Sequence, residues 1–485
     1  MKKSIRKNYL YNLLFQILTI LIPLITAPYL SRILGVSGIG ISSYTLSIVS
    51  YFILFGSVGV ASYGQREIAM NRNDIRKRTK IFWELFIYKF LTTCVSIIAY
   101  IFLLLSDNQY NIIYGILSLN ILASALDISW FFQGLEEYKM ISIRNILVKV
   151  LFTIFIFIFV RTSNDLNLYI LLNSISLLVS SLALWIKIPK FLSKISRNEI
   201  KIFNHVKGTL IYFLPQIATQ IYTMVDKTML GLITGSEIEN GYYEQAYKII
   251  NISLTILTSL NTVMSPRMSF LYKLNKKTEI KLRLKKSFQF ISFLSIPMVF
   301  GLIAITPGFV SWFFGEGYEK VTILLPLFAP IIFIIALSNC LGAQCLTPCG
   351  KRGKSAIALW VGAIVNVVIN LLLIPKFGSI GAVISSVIAE SIIAILYFYL
   401  ARNYVSIKDF FKYSWKNFLA GLVMFGVVFY LVNQLSVSIF NTFLEIIIGG
   451  LVYGSILILL KDNFMLELSK GAIYYGKSKI FKKRI

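Results

Sequence analysis

Apolar stretches of roughly 20 residues recur along the whole chain, separated by short polar or charged breaks. A helix of that length is long enough to cross the hydrocarbon core of a bilayer. The apolar runs are continuous rather than alternating, which indicates helices and not the strands of a membrane barrel. The pattern therefore predicts an all-α polytopic membrane protein with about 14 transmembrane helices. The predicted spans are 17–34, 46–60, 90–105, 112–132, 147–160, 169–186, 212–233, 249–263, 288–313, 322–346, 356–374, 382–400, 418–432 and 443–460.

A short motif at the end of the first span returns at the end of the seventh. Residues 31–35 read Ser-Arg-Ile-Leu-Gly and residues 226–231 read Asp-Lys-Thr-Met-Leu-Gly. After each, a short loop with glycine, Gly40 or Gly241, is predicted to open the next helix. Paired repeats of this kind are known in transporters, with the substrate bound between the halves. We expect an N-terminal lobe of helices 1–6 over residues 1–200 and a second lobe of helices 7–12 over 201–403. Residues 404–485 are expected to form a helix pair with a basic cytoplasmic tail.

Composition and charge agree with a membrane protein. Hydrophobic residues make up 57% of the chain and charged residues only 14%, and the net charge is +27. With the predicted spans, about 40 Lys and Arg residues fall on one side of the membrane and about four on the other, as the positive-inside rule expects. This asymmetry places both termini in the cytoplasm and explains the charge by contact with anionic lipid, not with nucleic acid.

The chain shows little that points to catalysis. The predicted external connections are short, and neither a phosphate-binding glycine loop nor a nucleophile elbow is present. The single histidine, His205, lies in a basic loop, where we expect it to be a solvated polar residue. The four cysteines suggest no disulfide framework, and no cluster of ligand residues suggests a metal. We therefore expect no enzyme activity, no catalytic residues, no metal and no cofactor.

Ionisable residues inside the spans are the strongest functional candidates. Each costs about 2.5–3.5 kcal/mol on insertion scales, so it usually faces the bundle interior or water. Arg32, Asp127, Asp226 and Lys227 are candidates for lining a cavity. For three other ionisable residues, Lys89, Glu244 and Lys248, we expect a structural role.

Lys89 lies at the edge of a predicted span, where a lysine commonly reaches the interface. Glu244 and Lys248 are four residues apart on a predicted helix and are spaced to pair with each other.

Nine segments in order along almost the full length carry a family resemblance. They are APYLSRILG at 27–35, YGQREIA at 63–69, DISWFFQGLE at 127–136, DKTMLG at 226–231, GYYE at 241–244, MSPR at 264–267, NCLGAQ at 339–344, NVVIN at 366–370 and GSIGA at 378–382. With these segments the chain resembles the polysaccharide-biosynthesis flippases, the Wzx-type lipid-linked oligosaccharide flippases of the multidrug/oligosaccharidyl-lipid/polysaccharide exporter superfamily.

The resemblance implies a flippase for undecaprenyl-diphosphate-linked oligosaccharide repeat units. It would carry them from the inner to the outer leaflet of the cytoplasmic membrane for capsule, exopolysaccharide or O-antigen synthesis, by alternating access of two lobes around a cationic cavity. The implied partners are this substrate, the lipid bilayer, and the polysaccharide polymerase and chain-length machinery. On this interpretation Arg32, Arg66 and Lys227 contact phosphate or sugar, and Asp127 and Asp226 are charge partners or ion-coupling groups.

Three alternatives remain open on the sequence. Two are transporters of the same superfamily, an ion-coupled drug exporter and a lipid II flippase. The third is a glycan polymerase, which the short external connections disfavour. A drug exporter for cations is expected to have an acidic cavity, whereas here basic groups stand at the repeated Leu-Gly position.

Overall fold

A computed structural model describes residues 5–106 and 109–467, and in these residues the regular structure is helical throughout. The α-helices are α1 Ile5–Ser57, α2 Val60–Met70, α3 Ile75–Ser106, α4 Asn111–Leu126, α5 Ser129–Gly134, α6 Tyr138–Phe159, α7 Leu166–Ala183, α8 Val206–Thr234, α9 Glu237–Lys273, α10 Lys277–Phe314, α11 Val321–Phe328, α12 Pro330–Leu341, α13 Arg352–Phe377, α14 Ser379–Ala401, α15 Ile407–Gln434 and α16 Ile439–Leu459. The prediction of an all-α protein is confirmed.

Twelve helical segments of the described chain are long and apolar enough to cross a membrane. The multi-span prediction is thus confirmed, while the predicted number of about 14 differs at two places. The first segment, Ile17–Met70, has 54 residues and covers two predicted spans. Its helix is bent at Gly35, where φ is 66° and ψ is −179°, a backbone conformation that glycine alone adopts readily. The second place is α8, which corresponds to the predicted span 212–233 but is not among the twelve.

The chain divides into two compact units, residues 1–244 and 245–485. The first unit holds helices α1–α8 and the beginning of α9, and the second holds the remainder of α9 and α10–α16. The lobe ends at residues 200 and 403 stay a prediction.

An aromatic core joins α2, α3 and α5 in the first unit. Phe82 of α3 packs on Trp130 and Phe131 of α5, with ring centroids 5.8 and 5.1 Å apart. Gly64 of α2 faces the Trp130 ring so closely that an added Cβ would lie 2.5 Å from it. This packing holds the short helix α2 against α5 and so positions the side chains of α2 at one end of the unit.

Neutral polar groups bridge helices in the second unit. Gln344 lies in a π-helical turn, Gly342–Leu346, where its amide nitrogen donates to Asn261 of α9 at 2.9 Å. Its amide oxygen accepts from the Ser287 hydroxyl of α10 at 2.7 Å. Because all three side chains are uncharged, they connect helices in an apolar interior without the cost of burying an ion.

The C-terminal helices of the second unit pack on α10 through an apolar core. Its buried members are Ala304 of α10, Ala420, Met424 and Val428 of α15, and Tyr453 and Leu457 of α16. The hydroxyl group of Tyr453 also donates to Asn417 of α15 at 2.7 Å. The pair α15–α16 is therefore anchored to α10 rather than standing alone.

Candidate functional site

The turn between α8 and α9 brings two of the predicted site residues against α9. Helix α8 ends at Thr234 and is capped by Gly235, whose φ of 60° allows the left-handed cap, and α9 begins at Glu237. Near the end of α8, the Lys227 ammonium lies 2.6 Å from the Glu244 carboxylate. Asp226 and Lys227 therefore bind successive residues of α9, since the Tyr243 hydroxyl donates to Asp226 at 2.6 Å. We call Lys227 and Glu244 the Lys227 pair.

Helix α1 holds the Lys227 pair from a third direction. The Ser43 hydroxyl donates to Glu244 at 2.9 Å. One turn further along α1, the hydroxyl groups of Ser47 and Thr228 share a hydrogen bond of 2.9 Å. The pair is thus set between α1, α8 and α9 within the first unit.

Glycine makes this close approach possible. An added Cβ at Gly40 of α1 would overlap the backbone carbonyl of Glu237, and one at Gly241 of α9 would overlap the carbonyl of Val36. Gly231 of α8 similarly faces the Tyr44 ring of α1. These glycines are part of the repeated motif that the sequence shows, and the structure gives the reason for two of them: any side chain would push backbone away from backbone.

The two neighbouring charges on α8, Asp226 and Lys227, differ in how deeply they are buried. The side chain of Lys227 is 18% exposed and that of Glu244 is 20% exposed, so the pair is only partly buried. The Asp226 side chain is buried and covered by Tyr243. In this arrangement Lys227 is the more accessible of the two charges, whereas Asp226 is bound to Tyr243 of α9.

Arg32 lies at the same end of the first unit. It is on α1 four residues before Val36, which touches Gly241 of α9. Its side chain is exposed, and its guanidinium donates to the Pro28 carbonyl at 3.1 Å. An exposed arginine in an apolar helix requires a polar environment and not lipid tails.

Arg66 lies at the opposite end of the unit. Its helix, α2, packs against the beginning of α8, where Tyr63 covers Gly208. Lys227 is 19 residues further along α8 than Gly208, which corresponds to roughly 28 Å along a helix axis. The Arg66 side chain is 54% exposed and 3.9 Å from Glu67. Arg66 and Lys227 therefore cannot hold one diphosphate at the same time in this arrangement.

Asp127 marks the break between α4 and α5. Its carboxylate accepts from the backbone N–H and the hydroxyl of Ser129, at 3.0 and 2.8 Å, and so caps α5. Its backbone carbonyl accepts from the Lys89 ammonium at 3.1 Å. Lys89 is buried near the middle of α3, not at a span end as expected, because α3 begins well before the predicted span.

A second polar cluster, around His205, was not predicted from the sequence. The imidazole of His205 lies 2.9 Å from the Glu84 carboxylate through Nε2 and 3.0 Å from the Tyr63 hydroxyl through Nδ1. The backbone N–H of Lys201 also donates to Glu84, at 2.7 Å. The expectation of a solvated His205 is wrong, because the loop before α8 folds onto α3 and buries the ring. We call Tyr63, Glu84 and His205 the Glu84 triad.

One sequence signal pointed to this cluster. Glu84 is a single acidic residue inside the apolar run 81–88, where an unpaired charge is costly. Its partner, however, is 121 positions away in the chain, and only the folded structure identifies it.

Glu244 is likewise a better candidate than the spacing of the sequence suggested. It is paired with Lys227 of α8, while Lys248 donates to the Gln245 side chain at 3.2 Å. Among residues 5–106 and 109–467, no group of three or more His, Cys, Asp or Glu side chains is arranged to hold a metal ion.

Comparison with known proteins gives a family. Over residues 5–272 the chain matches the family described as "Polysaccharide biosynthesis protein". It is 26% identical over 408 residues to the "Putative O-antigen transporter" of Escherichia coli K12, covering 83% of this chain and 98% of that protein. It is 25% identical over 286 residues to the "Probable low-salt glycan biosynthesis flippase Agl15" of Haloferax volcanii, covering 58% of each.

The fold has a solved counterpart. The structure of the lipid II flippase MurJ in an inward closed conformation superposes with a TM-score of 0.74, covering 94% of this chain and 99% of that one at 17% identity. At this identity the likeness concerns the fold alone. Since the family match covers more than half of its residues, this multi-pass membrane chain belongs to the polysaccharide biosynthesis protein family.

Proposed function

We propose that this protein is a flippase that moves undecaprenyl-diphosphate-linked oligosaccharide repeat units from the inner to the outer leaflet of the cytoplasmic membrane. The polymer they serve is a capsule, exopolysaccharide or O-antigen. The observation that carries the proposal is Lys227, an accessible cation held among membrane helices of a chain from this family. The names of the relatives, an O-antigen transporter and a glycan flippase, support the same substrate class.

The chemistry of the substrate requires such a cation. A diphosphate with a polar glycan cannot enter hydrocarbon unaided, and lysine or arginine offsets its charge through short charge-assisted hydrogen bonds. Placing Lys227 among membrane helices costs free energy that folding alone does not require. Arg32, exposed at the same end of the unit, is the second proposed contact.

Positive charge at two depths in the membrane suits a substrate whose head group moves from one leaflet to the other. Arg66 lies roughly 28 Å along the helix axis from Lys227, about the thickness of the hydrocarbon core. We infer that Arg66 meets the diphosphate at one leaflet and that Lys227 and Arg32 hold it at the other. Alternating access of two lobes would then pass the head group between them, while the prenyl tail stays in lipid.

The proposal extends to orientation, coupling and partners. The positive-inside asymmetry of the sequence supports cytoplasmic termini, with Arg66 at the cytoplasmic end. Asp127 and Asp226 are proposed charge partners or ion-coupling groups, since one elementary charge moved through 100 mV supplies about 2.3 kcal/mol. The polysaccharide polymerase and the chain-length machinery are the proposed protein partners at the outer face.

Deletion of the gene in the native host tests the function. Carrier-linked oligosaccharide is assayed by leaflet together with surface polymer, and the strain is complemented with the wild type, Lys227→Ala, Arg32→Ala or the control Arg197→Ala. Arg197 is an exposed cation outside the candidate spans. We expect complete units trapped in the cytoplasmic leaflet, with rescue by the wild type and the control only. Single units that reach the outer leaflet but stay unpolymerised would contradict a flippase and indicate a polymerase.

A further inference from the structure

The cation of the candidate site already carries an anion. The Lys227 ammonium lies 2.6 Å from the Glu244 carboxylate, a distance typical of a strong charge-assisted hydrogen bond. Both side chains remain about one-fifth exposed, so the pair is formed where a ligand can reach it. An anion that approaches Lys227 therefore meets an ammonium whose charge Glu244 already offsets.

Glu244 is held toward Lys227 by a rigid frame. The Ser43 hydroxyl of α1 donates to the same carboxylate at 2.9 Å. The close backbone contacts at Gly40 and Gly241 keep α1 on this face of α9. Surface ion pairs between long flexible side chains lack such support and are worth little. Here the carboxylate is preorganised at the position that a ligand oxygen would take.

A carboxylate and a phosphate bind an ammonium through the same kind of oxygen. A diphosphate has more oxygens and more negative charge than one carboxylate, so it can displace Glu244 where a neutral or weakly charged ligand cannot. We infer that Glu244 is a resident counter-ion of Lys227, which the diphosphate of a lipid-linked substrate displaces. The inference rests on the proposed function for the identity of that anion.

Such a counter-ion would do two things during transport. It neutralises Lys227 while the site is empty, because a charge left alone among membrane helices is costly. It also competes with the bound diphosphate and so favours release of the head group once the site opens to the other leaflet. Glu244 thus sets the strength of binding, whereas Lys227 supplies the attraction.

Binding of farnesyl diphosphate to the purified full-length protein in detergent tests this inference at constant salt. Glu244→Gln removes the competing charge and keeps the shape, so we expect the affinity to rise by about tenfold, the change that 1.4 kcal/mol produces. Lys227→Ala lowers the affinity, and the double variant Lys227→Ala/Glu244→Gln binds no better than Lys227→Ala. Farnesyl monophosphate is expected to gain less from Glu244→Gln than the diphosphate does.

The matched control is Glu237→Gln. Glu237 lies two turns before Glu244 on α9 and is bound by the Tyr110 hydroxyl at 2.7 Å, so the same chemical change is made away from Lys227. We expect its affinity to equal that of the wild type. An equal gain in Glu237→Gln would show a general effect of negative charge and overturn the inference.

Ser43→Ala keeps the inference testable if Glu244→Gln does not fold. Losing the hydroxyl frees the carboxylate from α1, and we expect a smaller gain in affinity of the same sign. Unchanged or weaker binding in the folded variants overturns the inference and leaves the flippase proposal intact if the leaflet assay succeeds. A tenfold gain without any transport of oligosaccharide would instead support the counter-ion and refute the proposed substrate.

Discussion

Two polar clusters of the first unit, the Glu84 triad and the Lys227 pair, each hold a carboxylate against a nitrogen-bearing side chain, but they differ in exposure. In the Glu84 triad the carboxylate is only 3% exposed and accepts from the His205 ring and the Lys201 backbone. In the Lys227 pair the carboxylate is 20% exposed and accepts from Lys227 and Ser43. The Glu84 carboxylate is thus almost fully buried, with only the Lys80 ammonium approaching it from the surface at 3.9 Å, whereas the Glu244 carboxylate is more accessible. Exposure, more than the residue types, separates the Glu84 triad from the proposed binding site at Lys227.

The largest expected effect is on stability and arises in the Glu84 triad, the less exposed of the two clusters. Glu84→Ala leaves the His205 ring and the Lys201 N–H buried without their acceptor, and each buried polar group left unsatisfied typically costs about 1–3 kcal/mol. We expect a strong fall in the thermal unfolding temperature of the purified protein. Glu136→Ala is the control, because its 3.0 Å pair with Arg72 is exposed and worth less than about 1 kcal/mol. Equal effects of both changes would refute the structural role of the triad.

Gly40→Ala disturbs the contact between α1 and α9 that supports the Lys227 pair, and it leaves the Glu84 triad unchanged. The new Cβ overlaps the Glu237 carbonyl, so α9 must move away from α1 at a cost of about 2 kcal/mol. We expect a moderate loss of stability and, because α1 no longer holds Glu244 against Lys227, a gain in diphosphate affinity of the same sign as for Ser43→Ala. Gly115→Ala in α4 is the control, since nothing lies within 4 Å of its added Cβ. A Gly40→Ala protein as stable as the control would show that the α1–α9 contact is looser than the structure has it.

Lys227→Met is expected to abolish transport while changing the stability of the protein only slightly. Because the pair is partly solvated, we expect about 1 kcal/mol of destabilisation or less. Surface polymer, in contrast, should be lost in the complementation assay while the protein level in the membrane stays normal. A large fall in unfolding temperature would place the Lys227 pair with the triad as a structural element.

The smallest effect is expected at a solvent-accessible pair near the triad, Arg76 and Glu199. The Arg76 guanidinium donates to the Glu199 carboxylate at 2.9 Å and thereby lowers the pKa of Glu199 below its usual range. A lowered pKa in the folded state stabilises the protein above the unfolded pKa and is lost as the pH falls through the folded one.

Glu199→Gln should therefore differ slightly from the wild type near neutral pH and not at all in strong acid. Thermal unfolding at several pH values measures this difference, and added salt should reduce it. A gap between the two proteins that widens toward low pH would contradict the assignment.

Much of the fold was readable from the sequence because it depends on local composition. Runs of apolar residues specify helices that cross a bilayer, whatever their neighbours are. The number of spans was harder to predict, since α1 consists of two helical segments joined at a kink at Gly35, where the backbone is not helical. The start of α3 was also missed, because a charged segment such as 75–80 continues a helix as easily as it ends one.

The candidate site was only partly readable. Lys227 stood out as a charge in an apolar segment, and Gly40 and Gly241 stood out as a repeat, but neither feature names a partner. Arg66 and Lys227 appeared equivalent as cations, whereas the helix path places them roughly 28 Å apart along the axis. Motif order along a chain does not give distance in space.

The sequence by itself determined that this is an all-α membrane protein, which segments carry its family resemblance, and which charges are costly enough to need a reason. The tertiary structure alone decided that Lys227 meets Glu244, that His205 is buried against Glu84, and that Asp226 is covered by Tyr243. The physical reason is that burial in a bilayer follows from the sum of local transfer free energies. Pairing, in contrast, depends on the rotation and register of helices that are far apart in the chain, and a one-residue shift along α9 would put a different side chain opposite Lys227.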